Sequence, residues 1–141
     1  MKLHTEIKID AAHNLPNYNG KCHNLHGHTW KIVVEIDCDT LDKNDFVADF
    51  TKIKEVVNQF DHAYINDKIK NPTAENMSVY LAEAIVELGE IEETKYFSET
   101  EGKLLAFNRF KSVTIKVYEA ENSYLEHTIK VWDRNGTTLE R

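Results

Sequence analysis

Three histidines stand at the ends of two alternating stretches. Residues 2–13 put Leu3, Ile7, Ile9 and Ala11 on one phase and His4, Glu6, Lys8 and Asp10 on the other, the period-two pattern of a half-buried strand. Residues 26–38 alternate again, with Trp30, Ile32, Val34 and Ile36 on one phase. Followed to its end, the first apolar phase reaches His13, and the second runs back to His28 and His26. Side chains two apart on a strand share a face, so His26 and His28 point the same way. Pairing of the two strands across the loop 14–25 brings His13 to them. Three neutral imidazoles converging on one point suit zinc, and three protein ligands leave the fourth position to water or substrate, as in catalytic zinc sites. The other histidines that could compete fail this test. His4 lies on the polar phase, His127 has no partner in sequence, and His23 sits in the loop.

Cys22 lies four residues before His26. Two readings of it stand. Beside a metal cation its thiolate is stabilised and becomes a usable base or nucleophile; as a fourth ligand it closes the site into a structural one. Spacing admits both. Asp61-His62 follows the first predicted helix, as a working pair or as an exposed helix end where a charged histidine meets the dipole. Glu119 continues the phase of Val113, Ile115 and Val117, so a carboxylate stands where an apolar side chain is due. A buried carboxylate needs partners: a cation of its own fold, or the N–H donors of a ligand. A planar heterocycle with adjacent N–H groups would complete a bidentate clamp.

Several elements must position these residues. Asn14–Gly20 is dense in turn formers, and a second turn-rich connection spans Asp39–Asp45. Phe50, Ile53, Val57 and Phe60 recur at helical spacing behind Asp49, a suitable N-cap. A second helix starts at Asn71-Pro72-Thr73, with Thr73 as cap, Glu75 in the first turn and an apolar stripe of Met77, Leu81, Ala84, Ile85 and Leu88. Residues 90–111 are charged and weakly patterned and read as a loop. Two strands close the chain, one through Val113, Ile115 and Val117, the other through Leu125, Ile129 and Val131. The order β-β-α-α-β-β predicts an α+β domain with an antiparallel sheet.

The chain of 141 residues is the size of one domain, taken as 1–141. No apolar run approaches the ~20 residues of a membrane span, and Met1–Glu6 lacks the apolar region of a secretory signal, so a cytoplasmic location is expected. Two cysteines are too few for a disulfide framework, and Cys38 reads as a small buried apolar residue. The net charge of −7 argues against a nucleic-acid or anionic-membrane partner. It leaves room for an anionic small molecule, because a local pocket field can oppose the overall charge.

Together these residues resemble a known family. Gly20-Lys21-Cys22-His23-Asn24-Leu25-His26-Gly27-His28 is similar to the zinc and cysteine signature of the 6-pyruvoyltetrahydropterin synthase family. Supporting segments follow in family order: Asp10-Ala11-Ala12-His13, Val47-Ala48-Asp49-Phe50, Phe60-Asp61-His62 with Asn66 downstream, Pro72-Thr73-Ala74-Glu75-Asn76, and Val117-Tyr118-Glu119. The four-residue step from Cys22 to His26 resembles the bacterial branch, 6-carboxytetrahydropterin synthase, which acts in queuosine and other 7-deazapurine biosynthesis. A branch on the folate side carries Glu in place of the cysteine, and Cys22 argues against it.

The resemblance implies His13, His26 and His28 as zinc ligands, Cys22 as catalytic base, and His62 as its relay partner oriented by Asp61. It implies Glu119 as the anchor of the pterin's amidine edge, and Thr73 as a second substrate contact. The implied substrate is 7,8-dihydroneopterin triphosphate. The implied products are 6-carboxy-5,6,7,8-tetrahydropterin, acetaldehyde and triphosphate. The implied architecture is the tunnelling fold, with trimers closing sheets into barrels and pairs of trimers forming a homohexamer. Two rivals are a family member that stops at 6-pyruvoyltetrahydropterin and a zinc- or pterin-binding protein without turnover. Lys21, Lys52, Lys54 and Arg109 are candidate triphosphate contacts. Two departures from the family pattern stand out: Ala120 follows the anchoring Glu where many bacterial members have Thr, and the segment 90–111 has no family counterpart.

Overall fold

The computed structural model describes residues 1–131; residues 132–141, the end of the domain expected over 1–141, lie outside the described residues. Strands β1 (Lys2–His13) and β2 (His26–Asp37) pair antiparallel along their whole length, from Lys2↔Asp37 to His13↔His26. Helix α1 (Phe50–Asn58), the two-residue strand β3 (Ala63–Tyr64) and helix α2 (Ala74–Glu87) follow. The strands β4 (Tyr96–Ser98), β5 (Lys103–Leu105), β6 (Ser112–Ala120) and β7 (Ser123–Lys130) complete the described chain. The main sheet has the order β3-β1-β2-β6-β7 and is antiparallel except where β3 lies parallel to the end of β1. This is the α+β architecture with an antiparallel sheet read from the pattern.

The alternation works as expected. Ile7, Ile9, Trp30, Ile32, Val34, Ile36, Val113, Ile115 and Val117 are buried beneath the two helices. The opposite face carries charged cross-strand pairs such as Lys31–Glu6 and Lys116–Glu35. Both caps are present: Asp49 accepts from Thr51 N, and Thr73 Oγ1 accepts from Asn76 N at 3.1 Å. Cys38 is buried, as expected.

Three details differ from the sequence reading. Phe50 is exposed, and the buried side of α1 comprises Ile53 and Val57. α2 buries more than one stripe: Ala82 and Val86 join Met77, Leu81 and Ile85, while Ala84 and Leu88 sit at the margin. It packs on both β6 and β7 and also meets α1, so more of its circumference is covered. Finally, residues 90–111 are not a plain loop. They contain the hairpin β4–β5, and Tyr96, Phe97 and Leu104 on it are exposed, so no burial alternation marks it in sequence. Its base is fixed by buried Asn108, which donates to Val86 O at 2.7 Å and accepts from Phe110 N at 2.9 Å. Gly89 is required beneath it, because a Cβ there would lie 2.3 Å from Asn108 Oδ1.

Candidate metal centre and active site

The β1–β2 register sets His13 directly across from His26, with Ala11 opposite His28. The three imidazole rings meet edge-on, with centroids 4.6 to 5.2 Å apart. Trp30, fully buried one step further along the same phase, forms the floor beneath His13 and His28 at 4.9 and 5.1 Å. Its indole N–H is satisfied by Ala11 O at 3.2 Å.

Second contacts fix the tautomers. His13 Nδ1 lies 2.8 Å from Pro72 O, and His26 Nδ1 lies 2.7 Å from Asn24 O. A carbonyl oxygen only accepts, so each Nδ1 carries the proton and each Nε2 presents a lone pair, the usual arrangement of a metal-ligating histidine. The Nε2 atoms of His13, His26 and His28 are all buried without a hydrogen-bond partner. Buried polar atoms are rarely left so; three within 4.8 Å of one another form a donor set of the right chemistry for a cation. Burial holds the His13 pKa below its ordinary value, opposed by the Pro72 hydrogen bond and the Glu119 charge. Burial likewise lowers His28, with Glu119 opposing it. Both rings are therefore biased towards the neutral, ligating form.

Glu119 joins this cluster. Its Oε1 lies 2.9 Å from His28 Nε2, though out of line for a hydrogen bond, and its donor atom and the three nitrogens all fall within 4.8 Å of one another. The carboxylate is not deeply buried as its phase suggested; it is about one-third exposed, at 37%. Its inward phase on β6, next to the Lys31↔Tyr118 pair with β2, puts it on the face of the histidines, and the β6–β7 register breaks at this residue.

Cys22 sits half-buried in a one-turn 3₁₀ helix, Lys21–His23, tied down by the Leu15 N to Cys22 O hydrogen bond of 2.8 Å. It is not among the donor atoms of the histidine cluster. Among the described residues its thiol makes no hydrogen bond with His62. Asp61 and His62 do form a pair, with Oδ2 and Nδ1 3.1 Å apart. They are held to β1: Asp61 Oδ1 accepts from Asp10 N at 2.9 Å, and His62 N donates to Asp10 O at 2.6 Å. The Asp10 N–H chiefly holds the Asp61 carboxyl below the usual carboxylate range, with His62 adding to it. His62 is exposed and adopts a left-handed backbone, φ 54°. An open cleft is lined by Asp10, Gly27, His28, Thr29, His62 and Tyr64.

Sequence reasoning missed Trp30 as the floor and Pro72 and Asn24 as orienting carbonyls. Trp30 was traceable from its phase, but a backbone carbonyl leaves no signal in residue type. Thr73 caps α2 next to Pro72 and so supports the His13 contact. Of the lysine and arginine candidates, Arg109 is committed elsewhere, donating to Thr40 O at 3.1 Å and Val47 O at 2.9 Å. Lys52 pairs with Glu55 at the surface.

With this geometry in hand, comparison with known proteins is decisive. The sequence model of the 6-pyruvoyl tetrahydropterin synthase family matches residues 2–130. The chain belongs to that family. Among its relatives is the 6-carboxy-5,6,7,8-tetrahydropterin synthase of Synechocystis sp., 33% identical over 98 residues, covering 62% of this chain and 76% of that one. The enzyme of the same name from Rickettsia conorii is 27% identical, with 89% of this chain and 99% of the relative aligned. Among solved structures, a catalytic-residue mutant of Plasmodium vivax 6-pyruvoyltetrahydropterin synthase superposes with a TM-score of 0.60. It covers 93% of this chain and 98% of its own at 15% identity, a likeness of fold. The synthase-family fold therefore accounts for the sheet order and the helices on one face. Among the described residues no helix is long and apolar enough to cross a membrane.

Proposed function

We propose that this chain is a zinc-dependent 6-carboxytetrahydropterin synthase, converting 7,8-dihydroneopterin triphosphate and one water to 6-carboxy-5,6,7,8-tetrahydropterin with release of acetaldehyde and triphosphate. The observation that carries the reading is the convergence of three buried, unpartnered Nε2 atoms from His13, His26 and His28, in a family of pterin synthases. The product follows the relatives named for the 6-carboxy compound. In this reading the chain serves queuosine or other 7-deazapurine synthesis in the cytoplasm.

The donor set fits zinc: three imidazole nitrogens, two of the rings oriented by carbonyls, with room for a further ligand. When bound, zinc supplies Lewis-acid polarisation of the substrate's side-chain oxygens, which acidifies neighbouring C–H and O–H bonds. The remaining work falls to the chain. Cys22 takes a proton from the substrate side chain, and His62 carries it onward, held in orientation by Asp61. Glu119 holds the amidine edge of the pterin through its two oxygens, and Thr73, at the head of α2, lies alongside as a second contact. Trp30 keeps water from beneath the site.

Assembly belongs to the same reading. The sheet ends on β7, whose outer edge is unpaired among the described residues. Open edges invite pairing with another chain, and trimers that close such edges into a barrel, stacked as a hexamer, would satisfy them. In such a trimer the Cys22–His62 relay, for which one chain shows no contact, is completed between chains.

The test is product analysis. Zinc-loaded protein incubated with 7,8-dihydroneopterin triphosphate should release acetaldehyde and the 6-carboxy product in equal amounts. Triphosphate without acetaldehyde would identify the 6-pyruvoyl activity instead. Unchanged substrate at full metal occupancy would leave a binding protein without turnover.

A further inference from the structure

Glu119 lies where β6 loses its register. The strands β6 and β7 pair one to one down to Tyr118↔Tyr124, and then Ala120 pairs with Ser123, so Glu119 is skipped. On the inward phase of β6, beside the Lys31↔Tyr118 pair with β2, its carboxylate lies among three imidazole nitrogens, with all four donor atoms within 4.8 Å of one another. Electron-rich groups packed so closely repel unless a proton or a metal cation lies among them. Three imidazoles and one carboxylate make a complete tetrahedral donor set.

The four donors are not held alike. His13 and His26 are locked through Nδ1 to Pro72 and Asn24, and His28 is packed on Trp30. Glu119 is 37% exposed, and among the described residues its polar contact is the His28 nitrogen. It is the one donor free to leave.

We propose that Glu119 is a fourth, displaceable metal ligand in the substrate-free protein, and that it leaves the metal when a pterin arrives. The inference rests on the reading of Glu119 as pterin anchor and joins the two roles in sequence. One metal–carboxylate contact breaks as the same oxygens accept the pterin's N–H donors, and the vacated position passes to the substrate. The exchange swaps one set of contacts for another and forms no covalent bond. The resting site is closed, and opening it is tied to binding of the correct ring.

The test uses the full chain loaded with zinc or with cobalt(II), whose visible bands report coordination. Glu119→Gln and Glu119→Asp remove, respectively, the charge and the reach of the ligand. Both should weaken zinc binding in competition with a chelator by roughly tenfold or more, at least the effect of losing an outer-shell partner. Both should alter the cobalt bands in the absence of any pterin. Wild-type cobalt protein should show a band change on addition of 7,8-dihydroneopterin, which lacks the triphosphate leaving group. Zinc affinity and cobalt spectra equal to wild type in either folded variant overturn the proposal, while the histidine site stands. Wild-type protein that takes up neither metal overturns both together.

Discussion

His13, at the last position of β1, donates from Nδ1 to the carbonyl oxygen of Pro72, 2.8 Å away and 59 residues later in the chain. This contact couples the tip of the sheet to the segment that Thr73 caps at the start of α2. It protonates Nδ1, so the Nε2 lone pair faces His26 and His28. Metal capacity thus depends on how α2 docks as well as on the β1–β2 register.

The lowered pKa values of His13 and His28 have a pH consequence. Burial is the first cause for both. A histidine whose folded pKa lies below its unfolded value of about 6.5 binds fewer protons when folded. Its contribution is fully present above that value and is lost as pH falls through the lower folded value. Metal-free protein should therefore show a lower urea midpoint at pH 5.5 than at pH 7.5, and zinc affinity should fall over the same interval. His13→Gln should flatten the stability change. A midpoint that rises on acidification contradicts this account.

Cys22 lies outside the donor cluster. Cys22→Ala should keep the wild-type metal content and melting temperature while turnover falls by about 10²- to 10⁴-fold, the range of general acid–base catalysis. Loss of metal in the variant would restore the closed three-histidine, one-cysteine site.

If the relay runs between chains, inactive Cys22→Ala and His62→Ala proteins should regain part of the wild-type rate when unfolded together and refolded as mixed oligomers. Mixtures that stay inactive place both groups within one chain.

His62 holds a left-handed backbone at φ 54°. That conformation costs a side-chain-bearing residue about 1–2 kcal/mol, partly offset in glycine by its greater loss of chain entropy. His62→Gly should match or exceed wild-type stability by up to about 1 kcal/mol while losing activity. A clear drop in the denaturation midpoint would show that the ring itself supports the fold.

Asn108 ties the hairpin segment to the core through Val86 O and Phe110 N. Asn108→Ala should lower stability by about 1–3 kcal/mol, because the Phe110 N–H loses its acceptor and Val86 O keeps the Gly89 N–H alone of the two donors. Hydrogen exchange should quicken first at residues 89–110.

Much of the fold and of the histidine site is legible in the sequence. Alternation over 2–13 and 26–38 determined two strands and put His13, His26 and His28 on their inward phase, because side-chain direction along a strand has a fixed period of two. Capping residues located both helices, because Asp49 and Thr73 satisfy helix N–H groups through local chemistry. The family signature around Cys22 is readable because its residues lie close together in sequence.

What depended on distant neighbours was not legible. The hairpin at 96–105 has exposed apolar residues and so carries no burial pattern. The choice of Pro72 and Asn24 as orienting carbonyls left no mark in residue type, since every residue offers the same oxygen. The phase of β6 raised Glu119 as a misplaced carboxylate but also promised deep burial. Only the folded chain shows it about one-third exposed and 2.9 Å from His28. A sequence records which side chains a strand offers to one face; the register between strands, set by packing and turn geometry, decides which of them meet.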